Sequence, residues 1–165
     1  MARLKLNVYG FNENISQMTI NGKSVKVSSI TNGVRTYEIE SPYKTAHIVI
    51  YKNHYYSLKW WAFTSILYFI ITLFGIFDIK QDKKCTVIDC RYDIDLNEDT
   101  VANMKVFTFT DGGKVVEIES NTKCTEISNI QYFDKQGQKR RKIMSLVKLG
   151  IVAFAVILTI IAFLI

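Results

Sequence analysis

Hydrophobic positions along this chain follow two rules, and the switch between them divides it. In RLKLNVY, Leu4, Leu6 and Val8 alternate with polar neighbours. A period of two puts them on one face of a strand. MTINGKSVKV and SSITNGVRTYEI set Asn21-Gly22 and Asn32-Gly33 between alternating runs. Asn-Gly supplies the positive φ angles of a two-residue hairpin turn. TAHIVIY adds a further strand, so residues 1–58 read as a small antiparallel β module. Residues 79–138 repeat the style. CTVIDCRYDID is extended, NMKVFTFT meets KVVEIES across Asp111-Gly112-Gly113, and TEISNIQYF offers another strand. Each module, sandwich or open-barrel like, is too small to be comfortably stable alone. Their sheets are expected to gain burial on each other, on copies of themselves or on a partner.

The second rule is unbroken hydrophobicity. Leu149 to Ile165 holds 17 residues without a charge, and from Ile143 onward Lys148 is the sole interruption. About 20 helical residues cross the ~30 Å hydrocarbon layer of a bilayer. The Lys148 stem is long enough to snorkel to the surface. A second uncharged run, Trp60 to Phe77, has 18 residues and Gly75 near its end. Tyr55, Tyr56, Trp60 and Trp61 crowd its start as an interface belt would. Together these patterns predict a membrane α+β protein: two transmembrane helices (59–78 and, behind a basic collar, 139–165) plus two small antiparallel β modules (1–58 and 79–138).

Charge supplies an orientation. The chain carries 21 Lys and Arg against 15 Asp and Glu, a net charge of +6. Ten basic residues lie near the membrane ends of the connecting region, including the collar Lys139, Arg140, Arg141 and Lys142, against three on the N-terminal flank. Basic residues stay on the cytoplasmic side. The expectation is therefore a two-pass cell-membrane protein with a cytoplasmic connecting region and both termini outside, its last segment inserted like a tail anchor. Besides the fully inverted topology, a rival arrangement keeps both β regions cytoplasmic, with the first apolar run dipping in as a re-entrant segment. It avoids moving a basic N-terminal region across the membrane. Asp78 and Lys148, joined by one loop, are expected at the same membrane face and as an interfacial pair. Cys85, Cys90 and Cys124 all fall in the connecting region, consistent with reduced thiols on the cytoplasmic side.

Candidate chemistry is sparse. No nucleophile elbow, phosphate loop or zinc-protease motif occurs. DIDLNED opens like a calcium loop with Asp93, Asp95, Asn97 and Asp99, but places Glu98 where the loop needs glycine and Met104 where it needs glutamate. His47 and His54 read as structural. The KRRK collar suits lipid headgroups better than nucleic acid, because residues 79–142 are nearly charge-balanced, with 12 basic against 11 acidic. No catalytic residue, cofactor or metal is assigned, and the chain is read as a non-enzyme.

The remaining signal is a stripe of small and polar groups. Ser65, Tyr68, Thr72 and Gly75 share one face of the first apolar helix, and Ala155, Thr159 and Ala162 give a looser small face on the second. Such faces let helices approach closely. The expected function is a non-enzymatic accessory or assembly subunit of a larger membrane complex. Its partners would be lipid and a larger integral membrane protein or further copies of the chain, with no nucleic acid. A membrane sensor or receptor and a toxin-binding immunity-type protein are the alternatives.

Overall fold

The computed structural model describes residues 1–11, 17–73 and 84–164. Among the described residues, ten strands and two α-helices follow in the order β1 (Ala2–Tyr9), β2 (Met18–Ile20), β3 (Lys23–Ser24), β4 (Ser29–Thr31), β5 (Val34–Ser41), β6 (Thr45–Lys52), α1 (Trp61–Leu73), β7 (Thr86–Asp95), β8 (Thr100–Val106), β9 (Val116–Ser120), β10 (Cys124–Phe133) and α2 (Lys135–Leu164). They form two compact units, each discontinuous in sequence. One comprises Met1–Lys52 with Val87–Phe133; the other comprises Asn53–Thr86 with Asp134–Ile165.

The first unit is a β-sandwich. Its sheets have the orders β4-β5-β1-β8-β9 and β10-β7-β6-β2-β3. Local chemistry sets the hairpins. Asn21 and Gly22 take φ of 51° and 74°, and Ile20 pairs with Lys23 across them. Asn32 and Gly33 take 51° and 78°, and Thr31 pairs with Val34. The Gly112-Gly113 tip is wider than a two-residue turn. Val106 pairs with Val116, and the tip folds over so that Gly112 N–H donates to the Gln131 carbonyl at 2.8 Å.

Alternation then fills the core. Leu4, Leu6 and Val8 of β1 meet Ile48 and Ile50 of β6, Cys90, Tyr92 and Ile94 of β7, and Met104 of β8 in one buried cluster. On the outer face, the Thr36 hydroxyl donates to Asn7 Oδ1 (3.1 Å) and Asn7 Nδ2 donates to Asn103 Oδ1 (3.0 Å). This polar row runs across three strands. Side-chain amides stitch the β9 side of one sheet to β10 of the other. Asn129 Oδ1 accepts from the Val115 and Val116 amides (2.9 and 3.2 Å), and its Nδ2 donates to the Val116 carbonyl (2.8 Å). Gln131 Nε2 donates to the carbonyls of Thr108 (3.1 Å) and Lys114 (2.7 Å). Backbone groups at an open edge thus find partners without a continuous ladder.

Two expectations are corrected here. The β regions are not two modules. β1 pairs in parallel with β8, from Leu4–Thr100 to Tyr9–Lys105, and β6 pairs antiparallel with β7, from Thr45–Asp95 to Lys52–Ile88. Strands from both sides of the first apolar run share one core, because each region supplies part of both sheets: β4-β5-β1 and β6-β2-β3 come from the N-terminal region, β8-β9 and β10-β7 from the connecting region. The two-pass topology falls with it. The chain leaves the sheet at Lys52 and rejoins it beside Lys52 at Ile88. Adjacent strands are ~4.8 Å apart, so the N-terminal and connecting regions lie on one side of any bilayer. A net single crossing between them is impossible. The described helix in that interval, α1, has 13 residues, about 20 Å. Among the described residues, one helix, α2, is long and apolar enough to cross a membrane.

Candidate functional site

The second unit carries the features that the sequence marks as unusual. α2 has 30 residues and runs without a break from the end of β10 through the basic collar into the uncharged segment. Its first turn is clasped to the chain just before β7. The Asp134 amide donates to the Cys85 carbonyl (3.0 Å), and Gln138 Nε2 donates to the Lys84 carbonyl (2.9 Å). Asp134 also faces buried His54, with Oδ2 3.2 Å from Nε2. A carboxylate at the positive end of a helix is well placed. Gly137 is required here, since a Cβ at that position would meet His54 Cε1 at 2.2 Å.

Gly137, Met144 and Lys148 mark the inward face of α2, near helical spacing. Arg140 Nη1 donates to the Tyr56 carbonyl (2.8 Å), and its guanidinium stands 5.5 Å from the Trp61 ring centre. Met144 packs with Tyr56 and Cys85 in a small core to which Trp61, Ala62 and Ile66 of α1 contribute. Lys148 Nζ lies 5.5 Å from the Phe69 ring centre. The collar is therefore divided. Arg140 is held inside the unit, while Lys139 and Lys142 remain exposed and Arg141 is half-buried.

The predicted stripe on α1 separates along its length. Ser65 is fully buried, beside the Tyr55 phenol. Tyr68 is half-buried and meets the Tyr55 ring edge-on at 5.5 Å. Thr72 is exposed, its hydroxyl donating to the Tyr68 carbonyl (2.7 Å). Gly75 and Asp78 lie outside the described residues, so the Asp78–Lys148 pair does too. The predicted interface belt divides as well. Tyr56 is buried, Tyr55 and Trp61 are half-buried, and Trp60 is 72 % exposed. On α2, Ala155 and Thr159 line an apolar groove with Phe69, and Ala162 is exposed. The Thr159 hydroxyl donates to the Ala155 carbonyl (2.9 Å).

The sandwich holds polar clusters of its own. Tyr92 donates to Glu126 Oε2 at 2.5 Å, and Asn129 Nδ2 donates to the Tyr92 oxygen at 2.8 Å. Burial, reinforced by Glu126, pushes the Tyr92 phenol far up, while the bonds from Tyr92 and Asn129 hold the Glu126 carboxyl below its ordinary range. Burial drives the Cys90 thiol to about 12. This combination locks protons in place, and it is the reverse of an activated nucleophile. Asp93 is engaged with His47 Nδ1 at 2.7 Å on the outer face, and Asn97 Oδ1 accepts from the Asp99 amide (3.0 Å) and the Thr100 hydroxyl (2.9 Å). The run is divided: Asp93 and Asp95 end β7, and the polar turn begins after them at Asn97. Cys90 and Cys124 are free thiols.

In the sequence, His54 reads as structural, and Asp134, Gly137 and Met144 go unmarked. The 137–144 spacing on a helix was the one available signal, masked by the apolar run that follows it. Set against family models, curated proteins and solved structures, the chain finds no match.

Proposed function

We propose that this chain is a non-enzymatic accessory or assembly subunit, anchored in a membrane by α2 and holding its β-sandwich beside a larger integral membrane protein. One observation carries the reading. α2 extends over 30 residues, about 45 Å, and its apolar window has no burial within the chain. So much apolar surface is stable only in an apolar solvent or against another protein. The basic residues at its start support a cytoplasmic side for the sandwich.

The polar groups support contact with a partner helix. The Thr159 hydroxyl is satisfied within its own helix, and Ala155 and Ala162 keep the same side of α2 low, so that a neighbouring backbone can approach. The test is purification from native membranes in mild detergent, comparing the natural chain with A155L/T159L. A stoichiometric membrane subunit that accompanies the natural chain and is lost from the variant, while the variant still fractionates with membranes, is the expected result. Equal recovery with both chains would remove this face from the interface. A chain found entirely in the soluble fraction would overturn the anchor itself.

A further inference from the structure

α1 has an outer face that its own unit leaves uncovered. Trp60, just ahead of the helix, and Phe63, Leu67 and Ile70 along it are 72, 66, 42 and 44 % exposed. Their spacings of three, four and three put them on one side. We propose that α1 enters the lipid beside α2, on the side of the bilayer where α2 begins, with this stripe facing headgroups at its start and acyl chains at its end. The inference rests on α2 being the membrane anchor.

Register with α2 is the first argument. Arg140 stands over Trp61, and Lys148 stands over Phe69. Both intervals are eight residues, about 12 Å of helix. The two helices therefore advance side by side in the same direction. Leu73 is four residues beyond Phe69, about 6 Å further, which brings the end of α1 level with Val152. The charge-free part of α2 has begun by then, at Leu149. If α2 crosses the membrane, the last turn of α1 is at hydrocarbon depth and its first turn is at the level of exposed Lys139 and Lys142.

The order of residues along the stripe is the second argument. Trp comes first, then Phe, then Leu and Ile. Tryptophan favours the headgroup layer and aliphatic side chains favour the chains below it.

Polar accounting is the third. In lipid, polar groups must be satisfied internally. Thr64 donates to the Trp60 carbonyl (3.0 Å) and Thr72 to the Tyr68 carbonyl (2.7 Å). Ser65 lies on the inner side of the helix, fully buried and away from the lipid-facing stripe. A shallow side helix also agrees with the strand pairing, because the chain must return to β7 on the side it left.

The test uses the full chain in phosphatidylcholine–phosphatidylglycerol vesicles whose acyl chains carry bromine near the carbonyl end, midway, or near the methyl end. The chain has two tryptophans, Trp60 and Trp61, so the natural protein reports the start of α1 directly. In a W60F/W61F background, I70W reports its end and L158W reports the middle of α2. Loss of fluorescence is expected with carbonyl-end bromine for the natural protein, with carbonyl-end and midway bromine for I70W, and with methyl-end bromine for L158W. Quenching of L158W with none of I70W or of the natural tryptophans would overturn the side helix and leave the anchor standing. No quenching at any position would overturn the anchor as well. The natural protein keeps the result interpretable should the substituted chains misfold.

Discussion

The two units solve opposite problems. In the sandwich, Leu6, Val8, Ile48, Ile50 and Ile94 have no exposure at all, and the charged side chains point outward. In the helical unit, the buried hydrophobic core is Tyr56, Cys85 and Met144, while Leu146, Leu149, Phe154, Leu158 and Phe163 stand outside. The same residue types that hold one unit together by leaving water are the surface of the other. Such a surface fits the proposed membrane anchor, and matched changes in the two units test the contrast.

The largest contrast is a truncation. Ile48 is fully buried between the sheets, so Ile48→Ala should cost about 2–5 kcal/mol through lost burial and the cavity left behind. Leu158 is half exposed along α2, and Leu158→Ala should leave the denaturant midpoint of the sandwich unchanged. Urea titration of both variants in detergent checks this pair. Similar losses would mean that α2 is part of the same core.

Glycine substitution gives the next effect. A Cβ at Gly137 would strike His54 and come within 2.7 Å of Asp134 Oδ2, so Gly137→Ala should destabilise the helical unit by about 1–3 kcal/mol. At Gly150 a Cβ meets nothing within 4 Å, and Gly150→Ala should favour the helix by about 0.5–1 kcal/mol. Thermal unfolding followed by circular dichroism at helix wavelengths separates the two, and equal responses would contradict the packing around Gly137.

The smallest effect lies in the sandwich and depends on pH. Glu126 titrates below its ordinary value because Tyr92 and Asn129 donate to its charged form. Its contribution is complete above the unfolded carboxyl value, near pH 4.3, and is lost as pH falls through the lower folded value. Tyr92 is shifted up, so its contribution is complete below about pH 10 and is lost as pH rises further. Because the Glu126 side chain is 43 % exposed, the effect should stay below about 1 kcal/mol. Subtracting the acid-limb stability profile of Glu126→Gln from that of the natural chain should leave a step below pH 4.3. A flat difference would mean that the Tyr92 bond contributes nothing net.

Several elements were legible from local pattern alone. Leu4, Leu6 and Val8 alternate and are buried, and both Asn-Gly pairs turn hairpins. Alternation and turn chemistry act over a few residues, so they survive in a linear reading. The partners of each strand did not. Nothing local to LKLNVY specifies Thr100 to Lys105 as its parallel neighbour some 95 residues on. The first apolar run misled for a related reason. Length and hydropathy are measured along the chain, whereas crossing a membrane depends on where both ends of the segment must be.

At the helical unit, residue order alone shows one segment that needs an apolar surrounding, a basic collar ahead of it, and a second apolar stretch opened by Trp60 and Trp61. Transfer free energy and charge belong to residues wherever they are folded. Folding in three dimensions sets the rest: Arg140 and Lys148 face α1, Gly137 must lack a side chain beside His54, and residues on both sides of α1 share one β core. Those outcomes depend on distances between residues remote in sequence, which pairing and packing set and composition does not.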